Sequence, residues 1–583
     1  MGSISGLGNV HPTEYRVQDH AHSTSSKLKV ISIGAGASGL YLAYSMDKRM
    51  KNFDLTVYEK NSQIGGTWLE NVYPGCACDI PAHIYTYTFR PNPKWSSYFV
   101  GSDEILRYFQ DFADEFNLQR FIKFQSTVTS ATYDEENAIW NVEIDTPSGP
   151  IIDWCDILIN SSGILNKWKW PTIPNRESFK GTMIHSAAWD RSVDYSGKRV
   201  AVIGTGSSGI QIVPQVQSVS KHLTVFIRSP TWISPPLGSL PSIEADPLAE
   251  GDTIVNRYLV SGSKAKDFTK ADIEFFESNP DVLLELRKKT EMIISDQVEA
   301  WRLGSPQQIA VSAYVKTHME KIIGDDKSLK ETIIPHFPAG CRRLTPGPGF
   351  LQALGASNVT RNLETITRFT PAGIETADGI NHSFDIIICA TGFDVAFVPF
   401  FKLRGKNGVL LSDAWKDDLP AYLGIAAKGF PNYFVLLGPR GPWGNGSIIP
   451  AIETNADYFV TMMQKIQSQG IKSIEVKQGA VDDFVEHNNE WHVGSVWGAK
   501  CRNWYRRNGS DTGIPYLWCG MSPSYFKTMK DVRFEDYDYE YKHKNRFSYL
   551  GNGKIQAEYY TGKDKLEGMT TYIRNSDTPW FLE

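Results

Sequence analysis

Two glycine-rich strings carry the clearest chemical potential of this 583-residue chain. Gly34-Ala35-Gly36-Ala37-Ser38-Gly39 and Gly204-Thr205-Gly206-Ser207-Ser208-Gly209 each read Gly-x-Gly-x-x-Gly. A turn of that spacing lets the backbone approach a pyrophosphate closely. The helix that follows adds N–H donors and a partial positive charge at its start. The spacing is informative only with a strand before it, a helix after it and a ribose-reading residue about 20 positions later. Both copies have that context. Glu59 follows the first loop, and its carboxylate suits ribose hydroxyls; Lys60 beside it is assigned to the same ligand. Arg228 holds the matching place after the second loop, where a guanidinium suits a 2′-phosphate.

The elements that must position these residues are legible as two similar blocks. Lys29-Val30-Ile31-Ser32-Ile33 reads as a buried parallel strand ahead of the first loop, and a helix containing Leu40, Leu42 and Ala43 follows. Asp54-Leu55-Thr56-Val57-Tyr58 is the next strand and delivers Glu59. In the second block Arg199-Val200-Ala201-Val202-Ile203 leads into the loop, a helix with Ile210 and Ile212 follows, and Leu223-Thr224-Val225-Phe226-Ile227 delivers Arg228. Each block closes alike, on Asp156-Ile157-Leu158-Ile159-Asn160 and on Asp385-Ile386-Ile387-Ile388-Cys389. Between Pro235 and Pro335 the pattern turns helical, with proline at a first turn in Asn279-Pro280-Asp281 and a capping-box string Ser305-Pro306-Gln307-Gln308. After Gly392 the chain is expected to return to the first block, and the last ~50 residues read as an irregular wrap.

Composition narrows the function classes. The chain is 41% apolar and 21% charged, with a net charge of −5, which argues against a nucleic-acid binder. No apolar run reaches the ~18 residues that span a bilayer, and the polar N-terminus has no apolar signal core. Seven scattered cysteines fit a reducing, cytoplasmic setting better than a disulfide framework. Cys76 and Cys78 are too close for a redox pair, and no partner pair suggests a metal site.

Three further strings resemble the flavin-dependent Baeyer–Villiger monooxygenases. Phe179, Gly181, His185, Trp189 and Asp190 form a Phe-x-Gly-x-x-x-His-x-x-x-Trp-Asp linker between the two loops. Gly65 to Asp79 fits Gly-Gly-x-Trp-x4-Tyr-Pro-Gly-x3-Asp without a gap. Gly340-Cys341-Arg342-Arg343-Leu344 resembles the family's Gly-x-(Lys/Arg)-Arg loop. With the Ala390-Thr391-Gly392-Phe393-Asp394 turn, the likeness covers roughly residues 28 to 445.

The resemblance implies an α/β fold of two Rossmann-like domains, for FAD and NADPH, with a helical insertion. It divides the chain into 1–165 (FAD-binding, first part), 166–234 (NADP-binding, first part), 235–333 (insertion), 334–384 (NADP-binding, second part) and 385–583 (FAD-binding, second part, with the wrap). It implies that Arg343 is the catalytic arginine, that Asp79 pairs with it, and that Arg342 helps hold the NADP phosphate. Gly66, Thr67, Trp68 and Tyr73 would line the flavin pocket, Thr391 and Gly392 would touch cofactor, and His185 would act between domains. Plainer roles fit some of the same residues: a structural ion pair for Asp79 and Arg343, core positions for His185, Trp68 and Tyr73. The implied activity inserts one oxygen atom of O2 beside a ketone carbonyl to give an ester or lactone. The run Arg342 to Gly347 is similar to fungal secondary-metabolism members and points to a polycyclic or long-chain ketone. A monooxygenase of amines or thioethers, and a flavin- and NADP-binding redox sensor, are the alternatives. A monomer or weak homo-oligomer without an integral membrane segment is expected.

Overall fold

In the computed structural model the described residues are 15–236, 267–395 and 397–582. The first stretch of the expected insertion, 237–266, and residues 1–14 of the first block lie outside them.

Leu28–Ile33 forms the centre of a five-stranded sheet ordered Tyr433–Val435, Ile157–Asn160, Leu28–Ile33, Phe53–Tyr58, Ile122–Lys123, with every pairing parallel. The central strand is apolar on both faces because both faces are covered. Leu28 and Val30 point into a core shared with the helix Ala37–Arg49 and the long helix Ile448–Gln469. Ile31 and Ile33 point the other way, against Trp140 and Val142 of an antiparallel layer built from Thr127–Asp134, Ile139–Thr146 and Gly149–Cys155.

The second sheet repeats this plan. Its order is Val359–Asn362, His222–Phe226, Arg199–Ile203, Ile386–Cys389, Thr182–His185, again parallel throughout. Val200 and Val202 face the helix Ser207–Gln217 and part of the insertion, whereas Ala201 and Ile203 face Phe369 and Ile374 of a small three-stranded sheet. Fold class and both loop contexts therefore agree with the expectation from sequence. One boundary does not. Ile386–Cys389 pairs with Arg199–Ile203 and Thr182–His185, so the segment assigned to the first domain from residue 385 begins inside the second sheet. The repeat pattern, which closes the second block on residues 385–389, agrees with this pairing, and the domain boundary belongs after this strand. The chain rejoins the first sheet at Tyr433–Val435.

Two crossings join the sheets and run side by side: Trp168 bridges to Phe393, and the Asp394 N–H donates to the Lys167 carbonyl at 2.7 Å. The helical insertion divides its packing between the halves. Phe276, Leu283 and Leu286 of Lys270–Ser278 and Pro280–Ser295 join the first core, while Val311, Val315 and Met319 of Pro306–Ile323 join the second. Pro280 stands in the first turn as expected. Ser305 accepts from the Gln308 N–H at 3.0 Å, but the Gln308 side chain accepts from the Gly304 N–H instead of closing the box on Ser305. The C-terminal wrap is less irregular than expected, since Tyr537–Tyr541 pairs antiparallel with Ile471–Val476. Among the described residues no helix is long and apolar enough to cross a membrane.

The cysteine reading needs correction. Cys341 and Cys501 form a disulfide across a separation of 160 residues, with Cα atoms 6.4 Å apart. Cys76, Cys78, Cys155, Cys389 and Cys519 are free.

Candidate functional site

The two glycine loops face one continuous cavity of about 1190 Å³. Apart from Gly39 and Gly209, every residue assigned above to cofactor or catalysis lines it, from both sheets and from the Gly340–Leu344 loop. Gly39 and Gly209 serve the turn itself. A Cβ on Gly39 would lie 2.0 Å from the Gly34 carbonyl oxygen, and one on Gly209 would lie 2.2 Å from that of Gly204. Only glycine lets the helix start so close to the strand end.

Both helices begin at a glycine N-cap with no side-chain cap and no acidic residue in the first turn. Two helices of the insertion, by contrast, are capped by the side chains of Thr269 and Ser305. The first N–H groups of Ala37–Arg49 and Ser207–Gln217 thus remain available to a ligand's phosphates.

Glu59 ends its strand buried, accepting from the Ala35 N–H at 2.7 Å and the Asn61 N–H at 2.8 Å. Burial raises its pKa, and the two backbone donors oppose that. The acid is held by the loop it must read alongside. Lys60 reaches the cavity but pairs with Glu70 at 2.8 Å. Trp68 donates its indole N–H to the Tyr85 hydroxyl at 3.2 Å, and both rings line the cavity. Tyr73 lines the cavity too, yet its hydroxyl reaches across to Gln211 of the second half at 2.9 Å. Gln211 in turn donates to the Ala77 carbonyl at 2.9 Å. Gln211 was not singled out from sequence, where it is one of three glutamines on the same helix, with Gln215 and Gln217.

Arg343 meets Asp79 in a two-pronged pair, with Nε to Oδ2 at 2.7 Å and a terminal nitrogen to Oδ1 at 2.7 Å. Burial alone would lower the Arg343 pKa, but Asp79 outweighs it and the net direction is upward. The guanidinium is therefore a permanent cation. On its far side lies a second, small space of about 50 Å³, walled by Ile80, Ile293, Trp301, Leu344, Trp497 and Tyr505. Trp301 and Trp497 stack at 5.4 Å. Burial pushes the Tyr505 hydroxyl up to about 12, with Arg343 pulling it back part of the way, so it stays protonated at neutral pH. The buried Arg506 shapes this segment, donating to the carbonyls of Trp497, Ala499 and Cys501 at 2.6, 2.8 and 3.0 Å. Trp443 and Trp504 line the larger cavity, and Tyr505 faces Arg343.

The five linker residues do not line either cavity. Phe179 packs in the core under the small sheet, and a Cβ on Gly181 would meet the Phe179 ring at 2.5 Å. Trp189 packs edge-on to Tyr195, and Asp190 accepts from the N–H and hydroxyl of Ser192 in an exposed turn. His185 is buried and stacked on Trp168 at 4.5 Å. Its Nδ1 accepts from the Ala187 N–H at 3.1 Å, which leaves Nε2 to donate to the Thr391 hydroxyl at 3.2 Å. Burial depresses its pKa to about 4, so the ring is neutral at pH 7. It ties the linker to the Ala390-Thr391-Gly392 turn, a joint between sheets with no access to a reacting group.

At the second loop, Arg228 and Arg342 line the cavity with Ser229 between them. Arg342 donates to the Ser229 hydroxyl and the Pro230 carbonyl, both at 3.1 Å. Burial lowers the pKa of each arginine, and neighbouring guanidiniums lower it further. Positive charge gathered here without a carboxylate partner among the described residues suits an anion.

Residues 27–237 match the family described as flavin-binding monooxygenase-like. The chain is 38% identical to the FAD-binding monooxygenase tazF of Aspergillus terreus over 92% of its length and 93% of that protein. It is 30% identical to a Baeyer-Villiger monooxygenase of Streptomyces coelicolor over 89% of this chain and 93% of that one. Its fold is similar to the crystal structure of OTEMO in complex with FAD and NADP, with a TM-score of 0.75 and 25% identity, covering 88% of this chain and all (100%) of the other.

Proposed function

The chain belongs to the flavin-binding monooxygenase-like family, and we propose that it is an FAD- and NADPH-dependent enzyme inserting one oxygen atom of O2 beside a ketone carbonyl to give an ester or lactone. The observation that carries this reading is the Asp79–Arg343 pair, a permanent cation set between a two-loop dinucleotide cavity and an aromatic-walled space. The chain's residues fit both cofactors. Two uncapped helix starts await two pyrophosphates, Glu59 suits the ribose of FAD, and the buried Nε of Arg342 has no partner of its own. The likeness to OTEMO with FAD and NADP supports the same pair.

When bound, FAD reduced by NADPH supplies the activation of O2 that no side chain can supply. The remaining work falls on this chain. Arg343 offers a preorganised cation to negative charge developing on oxygen. It has no proton to take up and so stabilises without acting as a base. Asp79 occupies two of its N–H groups and holds the guanidinium plane, leaving the other donors for the reacting oxygens. Tyr505 remains a hydroxyl donor beside it. Ile80, Ile293 and the stacked Trp301–Trp497 pair exclude water and favour an apolar carbon skeleton. We propose a polycyclic or long-chain ketone as substrate. The 50 Å³ space admits only a small group next to Arg343, so the bulk of such a ketone would occupy the larger cavity.

The test is Arg343→Ala with NADPH, air and a panel of polycyclic and linear ketones. Flavin reduction by NADPH should persist, ester yield should fall by about 10²–10³, and hydrogen peroxide should take its place. A variant with undiminished ester output would remove Arg343 from this role. A wild type that oxygenates thioethers and no ketone would overturn the reaction class.

A further inference from the structure

A third guanidinium shares the second loop's end of the cavity, and it comes from a distant part of the chain. Arg502 lines the cavity that Arg228, Arg342 and Ser229 also line, and it lies near enough to lower the pKa of both arginines. Among the described residues none of the three arginines forms an ion pair with a carboxylate. Elsewhere in the molecule clustered charge is answered by charge: Lys406 and Lys428 both meet Glu475, at 3.2 and 3.0 Å. Here Arg342 is half-buried with its Nε closed off from water and unpartnered. Like charges brought together in a partly desolvated place destabilise one another unless an anion accompanies them.

The convergence is built in covalently. The Cys341–Cys501 disulfide joins two segments 160 residues apart in sequence, and the residue that follows each cysteine is an arginine of the cluster. Asn503 adds a hydrogen bond from its side-chain amide to the Cys341 carbonyl at 3.0 Å. Arg506 pegs the Trp497, Ala499 and Cys501 carbonyls, so the turn bearing Arg502 is held on both sides.

We propose that Arg502 is a ligand of the 2′-phosphate of NADPH and a specificity residue against NADH, completing with Arg228 and Arg342 a three-cation clamp. This rests on the reading of the second unit as the NADPH site. A 2′-phosphate brings nearly two negative charges and three acceptor oxygens, which three guanidiniums and the Ser229 hydroxyl can answer. Arg228 and Arg342 come from the second unit and the catalytic loop, whereas Arg502 comes from the same turn that sets Tyr505 beside Arg343.

The experiment uses the full-length, FAD-loaded protein without NADPH and measures binding of adenosine 2′,5′-bisphosphate and of adenosine 5′-monophosphate by calorimetry. Wild type should prefer the bisphosphate, with an affinity that falls steeply as salt rises. Arg502→Ala should raise the Kd for the bisphosphate about tenfold, as expected for one charge-assisted contact, soften the salt dependence and leave the monophosphate within about twofold. Arg502→Lys should recover part of the loss. FAD content and melting temperature report folding, and Arg502→Gln gives a second neutral variant of the same exposed side chain. If Arg502→Ala and Arg502→Gln both keep wild-type preference while Arg228→Ala loses it, the inference fails and the NADPH reading stands. If wild type itself shows no preference for the bisphosphate, the NADPH reading fails with it.

Discussion

The two loop units share a backbone and differ in how their ribose-reading residue is kept. In the first, Glu59 is already satisfied: two backbone N–H groups of its own unit hold the carboxylate, at 2.7 and 2.8 Å. In the second, Arg228 has no carboxylate among the described residues and sits near other guanidiniums that lower its pKa. The first unit is complete without its ligand, and the second is electrostatically incomplete until an anion arrives. That contrast matches the duties proposed for them, one holding a resident flavin and the other binding and exchanging a nicotinamide cofactor. On that reading the scaffold sets where a dinucleotide would lie, and the charged residues gathered at the strand end set which one it would be.

The sharpest way to break the comparison is to give the second unit the first unit's sign. Arg228→Glu removes a charge-assisted contact and adds repulsion, so the NADPH-to-NADH ratio of kcat/KM should fall by about 10³, from ~1.5–3 kcal/mol for the lost contact plus the like-charge term. FAD content should not change. An equal fall for both cofactors would mean that Arg228 supports the loop and does not read the phosphate.

The joint between the units is the next test. His185 is neutral, stacked on Trp168 and bonded to Thr391, with its pKa depressed from 6.5 to about 4. A group whose folded-state pKa lies below its unfolded value adds stability that is full above the unfolded pKa and is lost as pH falls through the folded one. Stability should therefore drop between about pH 6.5 and 4, by about 3 kcal/mol at most for this ring. His83 and His492, also depressed by burial, to about 3 and about 4, act in an overlapping window. His185→Gln, compared with wild type by denaturant melts at pH 7 and pH 5, isolates the share of the joint. A variant as acid-sensitive as wild type would assign the effect to other groups, His83, His492 and the burial-depressed His318 among them.

What could be read from sequence and what could not follows the range of the interactions. The strands around both loops were legible because a strand covered on both faces must be apolar throughout, and Val30 and Ile31 do face different layers. The loops were legible because their glycines answer to contacts only a few residues away, as Gly39 against Gly34 does. Asp79 and Arg343, separated by most of the second unit, came only through family resemblance; no periodicity pairs them. Nothing local announces that Gln211 bonds Tyr73, that Tyr505 faces Arg343, or that Cys501 meets Cys341. Each depends on two segments packed together by the whole fold. The strand Ile386–Cys389 was legible from the block pattern as the close of the second unit, and the structure agrees; the domain boundary drawn at residue 385 ignored that pattern.

The smallest expected effect concerns the other side of the comparison. Glu59→Gln keeps size and one acceptor but turns an amide N–H2 toward a backbone N–H that now has nothing to donate to. If Glu59 both organises the loop and reads the ribose, FAD affinity should fall about tenfold, the worth of one charge-assisted hydrogen bond. The melting temperature of the FAD-stripped protein should fall as well, because one of the Ala35 and Asn61 donors loses its acceptor oxygen. NADP+ binding to the FAD-loaded variant should match wild type. The informative result is the split between the two readouts. A drop in apoprotein stability with unchanged FAD affinity would make Glu59 a piece of scaffold, and the two units would then differ less than their strand-end residues suggest.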